Sequence, residues 1–408
     1  MLIEFILLSL FKIFSVIATP DGLLQKGAFT VQQQTSRRTS RWSVPSSIYR
    51  TYRKHGLEIP PDVKSAMARQ SSTTSSSVTA KSVLDDTEYV IKVKVGEQNL
   101  TLNLDTGSAD LWVFSTLLPK SLTGKRTAAQ IYDPKSSGGK IMSGESWDLS
   151  YQDGTGAKGQ VYQDKVTIGD HLTVPNQAVE AASWVSEGFA SSDDADGLIG
   201  LAFSDQNGIL PNIQKTWFDN VRGSLAHPSF AAAIKRRQPG SYDFGHIDAS
   251  KFSGSLAWTP VVRSGYWDFD ATDFSFGNTP YKNITRVQAS IDTGSGLWYL
   301  PRPMAETYWK QIKDAKYSPH EAAWTFPCSS SLPDISMKIS GKRLVVPGIN
   351  MNYQQASVGG NTCIGGLQPD TQSSMTSYIF GDVFIKGMYV VFEHPVGGKP
   401  RLGFAQQK

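Results

Sequence analysis

The chain has 408 residues, 39% apolar and 19% charged, with 36 Gly and 21 Pro, which suits two or three domains with a large buried core and excludes collagen-like, coiled-coil and wholly disordered chains. Its net charge of +4 is unevenly placed: residues 19–80 hold nine Lys/Arg against three Asp/Glu, whereas residues 81–408 hold thirty against thirty-two. The basic character is confined to an N-terminal arm, and no zinc-finger spacing or aromatic-interleaved basic stripe follows it, which argues against a nucleic acid partner.

Residues 1–18, MLIEFILLSLFKIFSVIA, form a short apolar start ending in small residues at Val16 and Ala18, the pattern of a secretory signal peptide. The run is shorter than the ~18–20 residues needed to span a bilayer, and the C-terminal RLGFAQQK carries no apolar tail; no membrane anchor is expected. Residues 19–70 are polar and basic. Residues 71–87 are a linker that opens on the Ser/Thr run SSTTSSSVTA, too poor in apolar surface to order itself.

From Glu88 the pattern changes to period two, with Tyr89, Ile91, Val93 and Val95 and then Leu100, Leu102 and Leu104, and an all-β body begins. Trp147-Asp148-Leu149-Ser150-Tyr151 alternates like a strand, Asp153-Gly154 marks a hairpin turn, and Val161 to Ile168 reads as the return strand. Helical spacing is brief: Ile213, Trp217, Val221 and Leu225 recur every four, and Tyr308, Trp309 and Ile312 mark a second short helix.

The most informative feature is an internal repeat. Leu102-Asn103-Leu104-Asp105-Thr106-Gly107-Ser108, with Leu111-Trp112-Val113 after it, recurs as Ala289-Ser290-Ile291-Asp292-Thr293-Gly294-Ser295, with Leu297-Trp298-Tyr299 after it. A second marker follows each: Leu198-Ile199-Gly200 ends 95 residues after Asp105, and Ile379-Phe380-Gly381 ends 89 residues after Asp292. Two β lobes of similar plan are expected, at 88–255 and 256–408, each presenting one Asp where a buried strand turns. One such Asp would suit a turn cap; two in matching halves point to a pair facing each other across the lobe interface.

The stretches LDTGSADLWVFS at 104–115, DGLIGLAF at 196–203, PGSYDFGHID at 239–248, SIDTGSGLWYLP at 290–301 and YIFGDVFIKGMYVVFE at 378–393 resemble the pepsin-like aspartic proteases, in particular their secreted fungal, penicillopepsin-like branch. The resemblance covers most of the chain. It implies a two-lobed β fold with the cleft between lobes, and an acid endopeptidase secreted as a zymogen, monomeric, acting on polypeptides with no cofactor or metal. Asp105 and Asp292 would form the catalytic pair, Ser108 and Ser295 would hydrogen-bond their outer oxygens, and Thr106 and Thr293 would lock the two loops together, with Gly107 and Gly294 allowing the tight backbone. Tyr151 matches the family's flap-tip Tyr and Trp112 the Trp it contacts, while Gln152 stands where Gly is common. Asp153 matches an acid that admits a Lys at P1 in some fungal relatives, beside the usual large apolar residues, and Phe189 and Leu198 match pocket walls. Cys328 and Cys363 match the family's single disulfide. Arg53-Lys54-His55-Gly56 resembles the Lys-Tyr-Gly element of the propeptide, so Lys54 is expected at the catalytic pair in the zymogen, with residues 19–70 as the activation arm. His55 replaces the usual Tyr.

Asn99-Leu100-Thr101 and Asn283-Ile284-Thr285 are glycosylation sequons if the chain is exported. Two other classes compete for the carboxyl pair. A binding protein on the same fold is one, although both D-T-G motifs are intact. A glycosidase is the other, but it needs unlike surroundings for its two acids. No G-x-S-x-G supports a serine hydrolase.

Overall fold

The period-two segments form strands. Tyr89–Val95 and Gln98–Asp105 pair antiparallel, with Ile91 opposite Leu102 and Val93 opposite Leu100, and their apolar side chains are buried. The computed structural model describes residues 27–35, 44–71, 89–149, 156–169, 172–190, 195–357, 359–370 and 377–408; the expected signal segment lies outside them.

Among the described residues, strands between Gln34 and Leu210 form a nine-stranded sheet, and strands between Asp268 and Phe380 form an eight-stranded one. The two follow one plan. In the first, Gln98–Asp105 runs parallel to Gly197–Gly200, which pairs antiparallel with Leu111–Phe114. In the second, Arg286–Ile291 runs parallel to Tyr378–Phe380, which pairs antiparallel with Trp298–Leu300. The sequence repeat is therefore a repeat of topology: the first strand ends at Asp105 and the second, at Ile291, runs directly into Asp292.

A six-stranded sheet joins the halves. It interleaves Ser229–Lys235, Gln238–Phe244 and Phe252–Pro260 with Met388–Glu393 and Arg401–Gln407, so the dividing line drawn at residue 255 falls within the strand Phe252–Pro260. Phe230, Phe244, Trp267 and Phe392 pack against one another between the sheets, fully buried.

The helix read along Ile213 to Leu225 is shorter than its spacing suggests: it spans Trp217–Val221, followed by a 3-10 turn at Arg222–Ser224. Thr216 sets its start, with extended backbone and a side chain accepting from the Asp219 amide at 3.1 Å. Ile213 precedes that cap and is exposed. The second helix, Arg302–Trp309, buries Met304, Tyr308 and Trp309, with Ile312 just beyond it. Cys328 and Cys363 form a disulfide, tying the end of strand Ala323–Pro327 to Thr362–Gly365.

The arm is built into the body. Phe29–Gln32 adds an edge strand to the six-stranded sheet, and Gln34–Thr35 pairs with Tyr89–Val90. Two helices follow, α1 (Val44–Lys54) and α2 (Pro61–Ser71). Val44, Ile48 and Tyr52 recur every four along α1 and are buried, as are Ile59 and, on α2, Val63 and Ala66. Gly56, at φ +65°, ends α1 in the left-handed conformation that favours glycine, and the Leu57 amide closes onto the Tyr52 carbonyl at 2.8 Å.

Candidate active site

Each buried strand delivers its Asp into the same loop. The Gly107 amide donates to Asp105 Oδ1 at 2.9 Å and the Ser108 hydroxyl to Oδ2 at 2.6 Å. The Gly294 amide donates to Asp292 Oδ1 at 2.9 Å and the Ser295 hydroxyl to Oδ2 at 2.6 Å. The threonines cross between lobes: the Thr106 amide donates to Thr293 Oγ1 at 3.1 Å, and the Thr293 amide to Thr106 Oγ1 at 3.0 Å. Their hydroxyls then donate to the carbonyls of Ile291 and Leu104, at 2.8 and 2.6 Å. The six loop residues picked out in the sequence thus sit in a two-fold arrangement around two fully buried carboxyls.

The approach of the loops leaves no room for a side chain at either glycine. A Cβ on Gly107 would lie 2.6 Å from the Asp292 carboxyl carbon, and one on Gly294 2.3 Å from Asp105 Oδ1. Each glycine is therefore required by the carboxyl of the opposite lobe.

Lys54, the last residue of α1, places its ammonium 3.0 Å from Asp105 Oδ1 and 2.6 Å from Asp292 Oδ1. His55 Nε2 lies 2.8 Å from Asp292 Oδ2. Burial alone would lower the Lys54 ammonium, but the two carboxyls outweigh it and hold it up, so the side chain stays cationic. Burial, with the charge of Asp292 alongside, pushes the Asp105 carboxyl up in spite of Lys54. Burial acts the same way on Asp292, yet Lys54 and His55 outweigh it and hold that carboxyl well below the usual carboxylate range. Two like groups in like loops are thus driven apart electrostatically by what faces them.

The arm makes two further contacts beside the pair that its sequence did not suggest. Thr51 Oγ1 lies 3.1 Å from Ser295 Oγ, and the buried Tyr52 ring meets Tyr299 edge-on at 5.7 Å. The signal available was helical spacing, since Thr51, Lys54 and His55 fall at i, i+3 and i+4 on one face.

On the first-lobe side lies a cavity of about 370 Å³ lined by Trp112, Leu149, Phe189, Leu198 and both loops, with the arm across it. Trp112 is packed by Phe114, Trp147 and Phe189 at 5.5, 6.3 and 5.6 Å between ring centres. The strands Lys140–Asp148 and Ala157–Ile168 form the expected hairpin as far as the Leu149 amide, which donates to the Ala157 carbonyl at 2.9 Å. Tyr151, Gln152 and Asp153 lie outside the described residues. Asn99 and Asn283 are both exposed. No cluster of His, Cys, Asp and Glu among the described residues is arranged to hold a metal ion, and no described helix is long and apolar enough to cross a membrane.

Comparison with known proteins agrees with this geometry. The model of the eukaryotic aspartyl protease family matches residues 88–407. The chain is 41% identical to an aspergillopepsin-1 of Emericella nidulans over 97% of both chains. It is 42% identical to an aspergillopepsin-1 of Aspergillus flavus over 93% of this chain and 91% of that one. To penicillopepsin-3 of Penicillium janthinellum it is 40% identical, over 95% and 94%. The chain belongs to the eukaryotic aspartyl protease family and is an aspartic endopeptidase.

Proposed function

We propose that the chain is the precursor of an acid endopeptidase whose Asp105 and Asp292 share one proton and activate a water. The carrying observation is the symmetric pair itself, two buried carboxyls in matching loops with a single ammonium between them. Two carboxyls this close cannot both ionise cheaply once the cation leaves, the behaviour for which aspartic-protease dyads are the type example. The ionised member takes a proton from water as it attacks the peptide carbonyl, and the protonated member donates to the carbonyl oxygen. Neither member is assigned the proton, because it belongs to the pair. Lys54 occupies both carboxyls and the arm covers the cleft, so residues 19–70 act as the inhibitory propeptide.

The cavity walls Trp112, Leu149, Phe189 and Leu198 favour a large apolar P1 side chain; a Lys at P1 depends on Asp153. With the apolar start at 1–18 as signal peptide, the enzyme is secreted as a monomer, and Asn99 and Asn283 carry glycans. The test is hydrolysis of a denatured protein across pH 2–8 after acid incubation, with and without Asp105→Asn. Acid-range cleavage that appears as the arm is lost, and is absent in the variant, supports the reading. Absence of cleavage from folded, arm-free protein at every pH overturns it.

A further inference from the structure

A second pair of carboxyls lies behind the first loop and takes no part in the chemistry above. Asp110 and Glu180 are 5% and 0% exposed, and their carboxyls are hydrogen-bonding neighbours. Asp110 Oδ1 accepts from the Gly208 amide at 2.6 Å and from Asn207 Nδ2 at 2.9 Å, and the same Asn207 nitrogen reaches Glu180 Oε1 at 3.2 Å. The Leu111 amide also donates to Glu180. Glu180 Oε2 is buried with no donor in reach. Two carboxyl groups side by side without a cation are satisfied only when a proton lies between them.

Asn207, tied by this pair, also holds the Asp105 loop, which is otherwise gripped by the segment 200–202. The Leu201 amide donates to the Asp105 carbonyl at 2.7 Å, the Ala202 amide to Ser108 at 2.9 Å, the Gly200 amide to Asp110 at 2.8 Å, and Asn207 Nδ2 to Ala109 at 3.3 Å. We propose that Asp110 and Glu180 are positioning residues that hold one shared proton, and that this proton latches the Asp105 loop to the first-lobe sheet and is lost as the medium approaches neutrality. The consequence for activity rests on Asp105 being catalytic; the consequence for folding does not.

Burial pushes both groups up; Asp110 then raises Glu180 further, well above the ordinary value, while the Gly208 amide and the bond with Glu180 offset part of the rise at Asp110. The other charge acting on the pair is Asp105, which also raises Asp110; the remaining partners, Asn207 and the amides of Gly208 and Leu111, are neutral. A carboxyl raised in the folded state contributes stability that is full below its unfolded value, about 4.3 for Glu, and is lost as pH rises through the folded value.

The test compares the full chain with Glu180→Gln, whose amide donates to Asp110 without titrating. Thermal midpoints are measured from pH 5 to pH 8, and the pH profile of kcat/KM after activation. The wild-type midpoint is expected to fall more steeply with pH than that of E180Q, by about 2–4 °C or more across the range, and the neutral limb of the activity profile to move upward in E180Q. Parallel midpoint curves overturn the proposal. A flattened midpoint curve without any cleavage leaves the latch standing and removes the catalytic reading of Asp105. Should E180Q not fold, Asp110→Asn, which keeps a donor to Glu180 and an acceptor for Gly208, is expected to give the flattened curve. Failure of both variants to fold at pH 5 overturns the proposal, because a neutral isostere satisfies a latch that needs only its hydrogen bonds.

Discussion

The two Asp loops match atom for atom and are backed differently. Strand register makes Asp110 the counterpart of Leu297: the Gly200 amide donates to the Asp110 carbonyl at 2.8 Å, and the Gly381 amide to the Leu297 carbonyl at 3.2 Å. Behind the first loop is a pair of hydrogen-bonded carboxyls; behind the second is a buried leucine, 1% exposed. The arm's strands pair within the first half of the body, and its helices reach the second lobe. Thr51, Tyr52 and His55 contact the second lobe at Ser295, Tyr299 and Asp292, Tyr317 donates to Asp62, and Arg69 donates to the Pro319 carbonyl at 2.8 Å. Lys54 bridges to Asp105 as well. A duplicated frame therefore keeps its loop geometry symmetric while the residue behind each loop differs and the helices of the arm reach Ser295, Tyr299 and Asp292 on the second lobe.

The largest effect should fall where the lobes are alike. Asp105→Asn and Asp292→Asn are each expected to lower kcat on a denatured protein by about a hundredfold to ten-thousandfold, and unequal losses would show that the lobes do not share the proton work. Lys54→Met removes the cation from two buried carboxyls, a change of about 3–5 kcal/mol, so the arm should be released at higher pH than in the wild type, as followed by activation rate. The sign follows from Asp292: a carboxyl held below its ordinary value favours the docked arm above about pH 3.9, and this contribution disappears as pH falls through the depressed value.

Leu297→Asp makes the second lobe resemble the first but without a Glu180 to share a proton. It should cost about 3 kcal/mol at pH 7 and much less at pH 3, where the new group is protonated; a thermal midpoint indifferent to pH would show that the leucine is not equivalent to Asp110. Thr51→Val removes one hydrogen bond to the second lobe, about 1 kcal/mol, and should quicken activation slightly without moving its pH.

Much of this was legible in the residues. The D-T-G-S repeat located both carboxyls, their supporting hydroxyls and the crossing threonines, because strand alternation and turn chemistry are local and a repeat implies a two-fold relation. Lys54 was found by its motif. His55 departs from the family's Tyr, and only the docked helix places its ring on Asp292. The arm reads as polar and basic, yet Val44, Ile48, Tyr52, Ile59, Val63 and Ala66 are buried; their spacing is too short a signal beside the arm's overall charge.

By itself, the amino-acid sequence determined the all-β frame, its duplication and the position of the two facing carboxyls, since each follows from periodicity and from short motifs that fold the same way wherever they occur. Tertiary structure alone decided the electrostatics. Asp110 and Glu180 are 70 positions apart and become a pair only when Leu111–Phe114 lies beside Leu172–Val185, with Trp112 opposite Glu180. Asp105 and Asp292 are held in like loops and differ because Lys54 and His55 approach them unequally from another part of the chain. Charge state depends on burial and on neighbours a few ångströms away, and no stretch of sequence carries that information until the chain has folded.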